Sequence, residues 1–217
     1  TVLVVGNRYL MEGYVCGKEF IREKWTGGYW QRARKQAPHS ASKITVAFHL
    51  RHGDVSTKDI NWLDPAKEVR TIPLQQGIDV LKGILQNETS ILHGAPVSLQ
   101  LYSEGKEEEY AALRAAFPDV QLHLGSSSTL ALDLDMLATA DVLLASPSSF
   151  TSLACVLNER GLVLSDKENP EKFEGIPNTV SQESILKGNL NEFNVKFCEQ
   201  KLYSRIKYKL CGLIDPD

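Results

Sequence analysis

The 217-residue chain lacks the features that mark several large classes of protein. It has no apolar run near the roughly 20 residues needed to cross a bilayer, so we expect no transmembrane segment. Its formal net charge is only −3, which argues against a dedicated binder of nucleic acid or anionic membranes. With 42% apolar and 24% charged residues, the composition is typical of a globular protein. The length suits one substantial domain or one and a half small ones.

Cysteine is scarce and widely spaced. The four cysteines are Cys16, Cys155, Cys198 and Cys211. None of them forms a C-x-x-C pair, so we expect no zinc site. They are compatible with two disulfides in a secretory protein or with four buried thiols. A single glycosylation triplet, Asn87-Glu88-Thr89, supports a secretory address only weakly, because a chain of this length carries about one by chance.

Short apolar and β-branched segments alternate with segments of helical periodicity. Strands are predicted at Val2–Gly6, Ile44–Leu50, Val97–Tyr102, Val120–Leu124, Asp141–Ala145 and Gly161–Leu164. Helices are predicted over Leu74–Leu85, Lys106–Phe117, Leu130–Ala140 and Phe150–Glu159. This alternation predicts an α/β fold, a Rossmann-like doubly wound parallel sheet.

Residues 1–180 are assigned to this α/β domain, and residues 181–217 to a C-terminal helical extension that packs on the domain or on a partner. The basic, aromatic segment Gly17–Gln36 predicts a partly exposed helix on the sheet, or alternatively an acceptor-contacting surface. The chain starts with a strand-like run and has no initiator Met or basic leader. We interpret it as a mature product or a fragment.

A charged cluster follows the second predicted strand and reads His49-Leu50-Arg51-His52-Gly53-Asp54. Ligands of parallel α/β sheets bind beyond the carboxyl ends of the strands, so this cluster is a candidate site. Arg51 offers a planar fork of donors suited to phosphate, and His49 shares its side of the strand because side chains alternate. Gly53 permits a close backbone approach, and Asp54 can accept hydrogen bonds from a sugar hydroxyl. The alternative is a solvated charge pair at a strand end.

A hydroxyl-rich cluster follows the strand predicted at Asp141–Ala145 and reads Ser146-Pro147-Ser148-Ser149-Phe150-Thr151. Pro147 disfavours helix at the residue before it, and Ser148 or Ser149 is suited to cap the next helix. The N–H groups at a helix N-terminus bind anions, although an ordinary cap is the alternative interpretation. Combined with Arg51, this cluster predicts a site for a phosphorylated ligand.

The segment Asp133-Leu134-Asp135 has the D-x-D form found in metal-dependent glycosyltransferases. That motif needs a loop at a strand end, whereas apolar residues here continue a helical pattern. Asp133 in the first turn of a helix complements the helix dipole. We therefore expect no metal.

In order and spacing, these motifs resemble the donor-binding domain of the GDP-fucose-dependent fucosyltransferases, and the protein O-fucosyltransferase branch is the most similar. The resemblance covers roughly residues 44–160: the H-x-R-x-G-D segment from His49 to Asp54, then Asp133, Ala140-Asp141 and the S-S-F-T segment from Ser148 to Thr151. It implies one Rossmann-like half of a GT-B-type glycosyltransferase in the lumen of the ER or Golgi. The implied activity is inverting, metal-independent transfer of fucose from GDP-fucose to a glycan or protein hydroxyl.

The resemblance also implies roles for individual residues. His49 and Asp133 would contact the guanine nucleoside, and Arg51 would hold the diphosphate and the departing oxygen. Gly53 belongs to the same donor-binding segment, and the phosphate-binding turn would comprise Ser148, Ser149 and Phe150. Asp54 is the carboxylate in the first cluster that is positioned to act as base. No cofactor is implied, because GDP-fucose is a substrate.

The chain departs from the family pattern in two ways. His52 stands where a second arginine often lies, and only about 43 residues precede the motif strand. A first Rossmann-like half, the usual source of much of the acceptor site, would have to come from a missing segment or another chain. The alternatives are a catalytically inactive module in a larger assembly and, less favoured, a histidine phosphatase that uses Arg51-His52-Gly53 with His52 as the nucleophile.

Overall fold

The protein is an α/β structure built around one parallel sheet. A computed structural model describes residues 43–52, 72–125, 130–158, 161–165, 176 and 178–201. In these ranges the strands are β1 (Ile44–Leu50), β2 (Val97–Ser103), β3 (Gln121–Leu124), β4 (Val142–Ala145), β5 (Leu162–Ser165) and β6 (Thr179–Ser181). The helices are α1 (Leu74–Leu85), α2 (Ala111–Ala116), α3 (Leu130–Thr139), α4 (Ser149–Leu157), α5 (Gln182–Leu186) and α6 (Asn191–Lys201). A 3₁₀ turn, Glu107–Tyr110, precedes α2.

The six strands are all parallel and follow the order β3-β2-β1-β4-β5-β6. The chain runs outward from β1 to β3 and then returns to place β4 on the other side of β1. This reversal creates a topological switch point between β1 and β4, where ligands of such sheets bind. The architecture is the Rossmann-like, doubly wound α/β fold predicted from the alternation of segments.

Helices cover both faces of the sheet, because alternate side chains of each buried strand point to opposite sides. Val46 and Phe48 of β1 belong to a core shared with α1, α2, α5 and α6. Ala47, between them, belongs to a second core shared with α3 and α4. His49 therefore points to the face that carries α3 and α4, whose N-termini lie at the carboxyl edge of the sheet.

Polar contacts join β1 and β4 at the edge of the sheet where these strands begin. The Thr45 N–H donates to Asp141 Oδ2 at 2.8 Å, and the Asp141 N–H donates back to the Thr45 carbonyl at 3.0 Å. Asn158 is buried and donates to the Ala140 carbonyl at 3.0 Å, while its Oδ1 accepts from the Gly161 N–H at 2.7 Å. The Ala-Asp pair of the sequence motif thus joins strands at the edge opposite the candidate site.

The C-terminal part of the described chain belongs to the same core. Phe193 and Phe197 of α6 are fully buried together with Ile185 of α5. The strand β6, a three-residue edge strand paired with β5, was not predicted from the sequence. The first predicted strand, Val2–Gly6, and the basic segment Gly17–Gln36 lie outside the described residues. Within the described ranges, no helix has the length and apolar character needed to span a membrane.

Candidate functional site

A cavity of about 890 Å³ opens at the carboxyl edge of the sheet, next to the switch point. Its walls come from the ends of three neighbouring strands and from the first turns of α3 and α4. The lining residues include His49, Arg51 and His52 after β1, Tyr102 and Glu104 after β2, Asp133 of α3, and Ser148 and Phe150 at α4. Its volume is that of a pocket for a ligand the size of a nucleotide.

Two hydroxyl groups contact the His49 ring, and a third is linked to it through one of them. The His49 Nδ1 atom contacts Ser146 Oγ at 3.0 Å and also contacts Thr151 Oγ1. Thr151 Oγ1 in turn contacts Ser148 Oγ at 2.8 Å. Burial, and secondarily the charge of Arg51, lower the pKa of His49 to about 4. The imidazole is therefore neutral at physiological pH.

Ser146 and Thr151 are not placed to act as nucleophiles. Ser146 and Thr151 are both fully buried, so a substrate cannot reach either hydroxyl. An imidazole with a pKa near 4 is also a poor general base at neutral pH. The hydroxyl groups instead hold the His49 ring at the cavity wall, where Phe150 lies with its ring centroid 5.5 Å away.

The N-terminus of α4 forms a second wall. Ser148 is the helix cap, and its Oγ accepts from the Thr151 N–H at 3.0 Å. A tight turn around Pro147 precedes it, with the Ser148 N–H donating to the Ser146 carbonyl at 2.8 Å. In the described part of the chain, the N–H groups of Ser149 and Phe150 meet no acceptor. These N–H groups and the helix dipole favour an anion at this position.

Arg51 connects the two walls through its main chain. Its backbone N–H donates to Ser146 Oγ at 3.3 Å, and its side chain lines the cavity. The residues joined here are 95 positions apart in the sequence and meet because β1 and β4 are neighbours. The guanidinium and the N-terminus of α4 therefore border one cavity, which is an arrangement suited to a phosphorylated ligand.

The wall formed by β2 and β3 is aromatic and acidic. The ring of Tyr102 stacks on His123 with centroids 4.5 Å apart and an interplanar angle of 5°. Burial, with the charges of Asp133 and Asp135, raises the pKa of Tyr102, so its hydroxyl stays protonated and donates to Gln100 Oε1. This wall offers a carboxylate and a flat aromatic surface beside the cavity.

His52 makes a separate contact with a carboxylate at the cavity rim. Its Nε2 is 3.4 Å from Glu109 Oε1, and its ring meets Tyr110 edge-on at 6.1 Å. The Lys106 N–H and the hydrogen bond from His52 lower the pKa of the Glu109 carboxyl. Gly105 allows this close packing, since it has φ +96° and an added Cβ would lie 2.9 Å from His52 Cδ2.

The structure brings together five of the residues predicted for the site. They are His49, Arg51, Asp133, Ser148 and Phe150, which all line the cavity. Ser149 is the exposed first residue of α4, and its side chain is not among those lining the cavity. Gly53 and Asp54 lie outside the described residues. Asp133 lies in the first turn of α3, as predicted, rather than in a loop.

Sequence reasoning assigned no site role to Ser146, Thr151, Tyr102 or Glu104. The first two were quoted as part of a motif, but their contact with His49 depends on the pairing of β1 with β4. Tyr102 and Glu104 follow from the strand predicted at Val97–Tyr102, because the end of this strand lies at the same edge of the sheet as the end of β1.

Other features of the site are limited to the described residues. Among them, no group of three His, Cys, Asp or Glu side chains has the arrangement of a metal site. Cys155 of α4 is a fully buried thiol whose pKa is raised by burial. No protein-family model matches the chain, and no curated protein matches it significantly in sequence. The function of the site is therefore inferred from its geometry and from the resemblance of the motifs.

Proposed function

We propose that the cavity binds the nucleotide sugar GDP-fucose and that the domain belongs to an inverting, metal-independent fucosyltransferase. The acceptor would be a hydroxyl group of a glycan or protein in the lumen of the secretory pathway. One observation carries the proposal: Arg51 and the open N-terminus of α4 border the same cavity at the switch point of the sheet. The choice of GDP-fucose among nucleotide sugars comes from the resemblance of the motifs.

The part of the cavity wall formed by Arg51 and the N-terminus of α4 is suited to a diphosphate. Two backbone N–H groups of α4 and the Arg51 guanidinium can together meet several phosphate oxygens. Neutral hydroxyl and N–H donors also cost less to bury than additional cations. A diphosphate placed here would lie at the position used by nucleotides in other sheets of this topology.

The aromatic and acidic parts of the cavity wall are suited to a nucleoside. Phe150 and Tyr102 offer apolar ring surface, while His49 and Asp133 offer a neutral imidazole and a carboxylate. A guanine base has both donors and acceptors on its edge, so a mixed pair of this kind suits it. The negative charge of Asp133 would repel a phosphate, which favours placing the base rather than the diphosphate beside α3.

The proposed transfer would use these positions as follows. The acceptor oxygen forms a bond to the anomeric carbon as the bond from that carbon to the diphosphate oxygen breaks, with inversion. The leaving GDP gains negative charge, which Arg51 and the α4 N-terminus would stabilise as it develops. The acceptor proton must pass to a base. Asp54 remains the sequence-based candidate, and Glu104 is an exposed carboxylate on the described cavity wall.

A donor-binding module without activity is the second candidate. It is favoured by His52, which stands at the position of the family's second arginine and is paired with Glu109 at 3.4 Å. The phosphatase alternative is supported less well. It needs a His52 ring nitrogen to attack phosphorus, and Nε2 instead faces that carboxylate.

Calorimetric titration with GDP-fucose, followed by a transfer assay with a set of glycan and peptide acceptors, tests the proposal. We expect saturable binding in the absence of divalent metal, because the anion site consists of Arg51 and backbone N–H groups. Absence of binding up to millimolar GDP-fucose would contradict the donor site. Binding without transfer to any acceptor would favour the inactive module, and a phosphoenzyme lost in His52→Ala would favour the phosphatase.

A further inference from the structure

The hydroxyl of Ser146 is buried at the junction of the two walls. It is fully inaccessible to solvent. Its oxygen accepts the Arg51 N–H at 3.3 Å and lies 3.0 Å from His49 Nδ1. A hydroxyl group has one proton to donate and two lone pairs to accept with. The Arg51 N–H occupies a lone pair, so the remaining question is where the hydroxyl proton goes.

His49 Nδ1 is the acceptor that the surroundings offer. Across the described residues, Ser146 Oγ makes no other hydrogen bond. If Nδ1 carried a proton, the N–H and the Ser146 hydroxyl could not both donate along the same line. One of the two buried groups would then lack an acceptor, which carries a free-energy penalty. An unprotonated Nδ1 that accepts from Ser146 avoids this penalty.

The second hydroxyl at Nδ1 is compatible with this arrangement. Thr151 Oγ1 also contacts Ser148 Oγ at 2.8 Å, and either of these two hydroxyls can be the donor. The Thr151 N–H donates to the same Ser148 oxygen at 3.0 Å. When Ser148 donates to Thr151, the Thr151 hydroxyl can donate to an unprotonated Nδ1, and with the opposite direction it can accept from a protonated one. Thr151 is therefore satisfied with either tautomer, and the Ser146 hydroxyl is the group that requires an unprotonated Nδ1.

We propose that Ser146 is a positioning residue that fixes His49 as the tautomer protonated at Nε2, so that the ring presents an N–H donor to the cavity. This inference deepens the proposed function and depends on it for the identity of the ligand. The atom that His49 recognises is then a hydrogen-bond acceptor of the nucleotide sugar. Because Ser146 also holds the Arg51 main chain, one buried hydroxyl aligns the two residues expected to bind base and diphosphate.

The tautomer can be read directly by NMR of the folded chain with ¹⁵N-labelled histidine at pH 7. Five histidines are present, and a His49→Gln variant identifies the signals of His49 by their loss. We expect Nδ1 to resonate as an unprotonated nitrogen and Nε2 as a protonated one. The reverse pattern would overturn the inference even if GDP-fucose binds.

Ser146→Ala tests whether the hydroxyl is the cause. We expect a mixture of His49 tautomers and GDP-fucose affinity lowered about tenfold, the effect of losing a buried hydrogen bond that aligns a ligand contact. Ser152→Ala is the matched control, because Ser152 is a buried serine of α4 whose hydroxyl donates to the Ser148 carbonyl at 2.9 Å. It should leave both the tautomer and the affinity unchanged.

A second substitution keeps the test independent of folding defects. Ser146→Cys retains a similar volume and a weak donor, so its affinity should fall between those of the wild type and Ser146→Ala. Unchanged tautomer and affinity in a folded Ser146→Ala protein would overturn the positioning role. The wild type could fail to bind GDP-fucose while the Ser146→Ala protein loses the Nε2–H tautomer of His49. That result would support the positioning role of Ser146 and contradict the proposed function.

Discussion

Removing the Arg51 side chain should weaken ligand binding strongly and change the stability of the fold little. Its main-chain N–H bond to Ser146 remains after Arg51→Ala, and the side chain is only partly buried. We therefore expect the free energy of unfolding to change by about 1 kcal/mol or less. The cavity, in contrast, loses its guanidinium.

The size of the binding defect follows from the bonds that a guanidinium fork can make. A hydrogen bond between charged groups is worth about 1.5–3 kcal/mol, and a bidentate contact to a diphosphate makes two of them. A tenfold change in affinity corresponds to about 1.4 kcal/mol, so Arg51→Ala should weaken GDP-fucose binding by a hundredfold or more, on the order of 10²–10⁴. Arg51→Lys keeps the charge but not the fork, and a loss of about tenfold is expected.

The same substitution has a signature at His49. Burial is the larger cause of its low pKa and the Arg51 charge the smaller, so Arg51→Ala should raise that pKa from about 4 while keeping it below 6.5. A depressed folded-state pKa means that the unfolded chain takes up the proton first. His49 therefore lowers the free energy of unfolding as pH falls from 6.5 towards 4. In Arg51→Ala, where the folded-state pKa is less depressed, this loss should be smaller.

Titration calorimetry with GDP-fucose at fixed salt measures the affinity. Both phosphates of this ligand are esterified, so its charge is constant near neutral pH and affinities at different pH values can be compared. An NMR pH titration measures the His49 pKa. Arg114→Ala is the control, since Arg114 lies in α2, pairs with Glu107 at 2.6 Å and is not among the lining residues. Arg51→Ala binding GDP-fucose as tightly as the wild type would refute the assignment of Arg51 to the diphosphate.

Two further substitutions test the scaffold. Asn158→Ala removes the bond to the Gly161 N–H at 2.7 Å and leaves buried polar groups unpaired, so urea denaturation should show a loss of about 2–4 kcal/mol. GDP-fucose affinity of the folded fraction should not change; a weaker affinity would contradict the placement of Asn158 at the opposite edge. Gly105→Ala strains φ +96° and places Cβ 2.3 Å from Glu109 Oε2, so we expect about 1–3 kcal/mol lost and shifted ring signals for His52. Wild-type stability would show that this turn relaxes freely.

Much of the fold was predictable because its signals are local. The helix predicted at Leu74–Leu85 has those bounds in the structure, and the strand predicted at Ile44–Leu50 does as well. Helical periodicity and β-branched runs act over a few residues, so the sequence alone reveals them. The edge strand β6 was missed because three residues carry too little pattern. Its pairing with β5 depends on the assembled sheet.

The site divides in the same way. The sequence alone determined that a cation and an imidazole follow one strand and that hydroxyl groups cap the helix after another, because each depends on nearby residues. Only the tertiary structure decided that these groups share a cavity. The return of the chain to place β4 beside β1 brings His49 within 3.0 Å of Ser146, 97 residues later. That distance depends on strand order and register, which are set by the packing of the whole sheet.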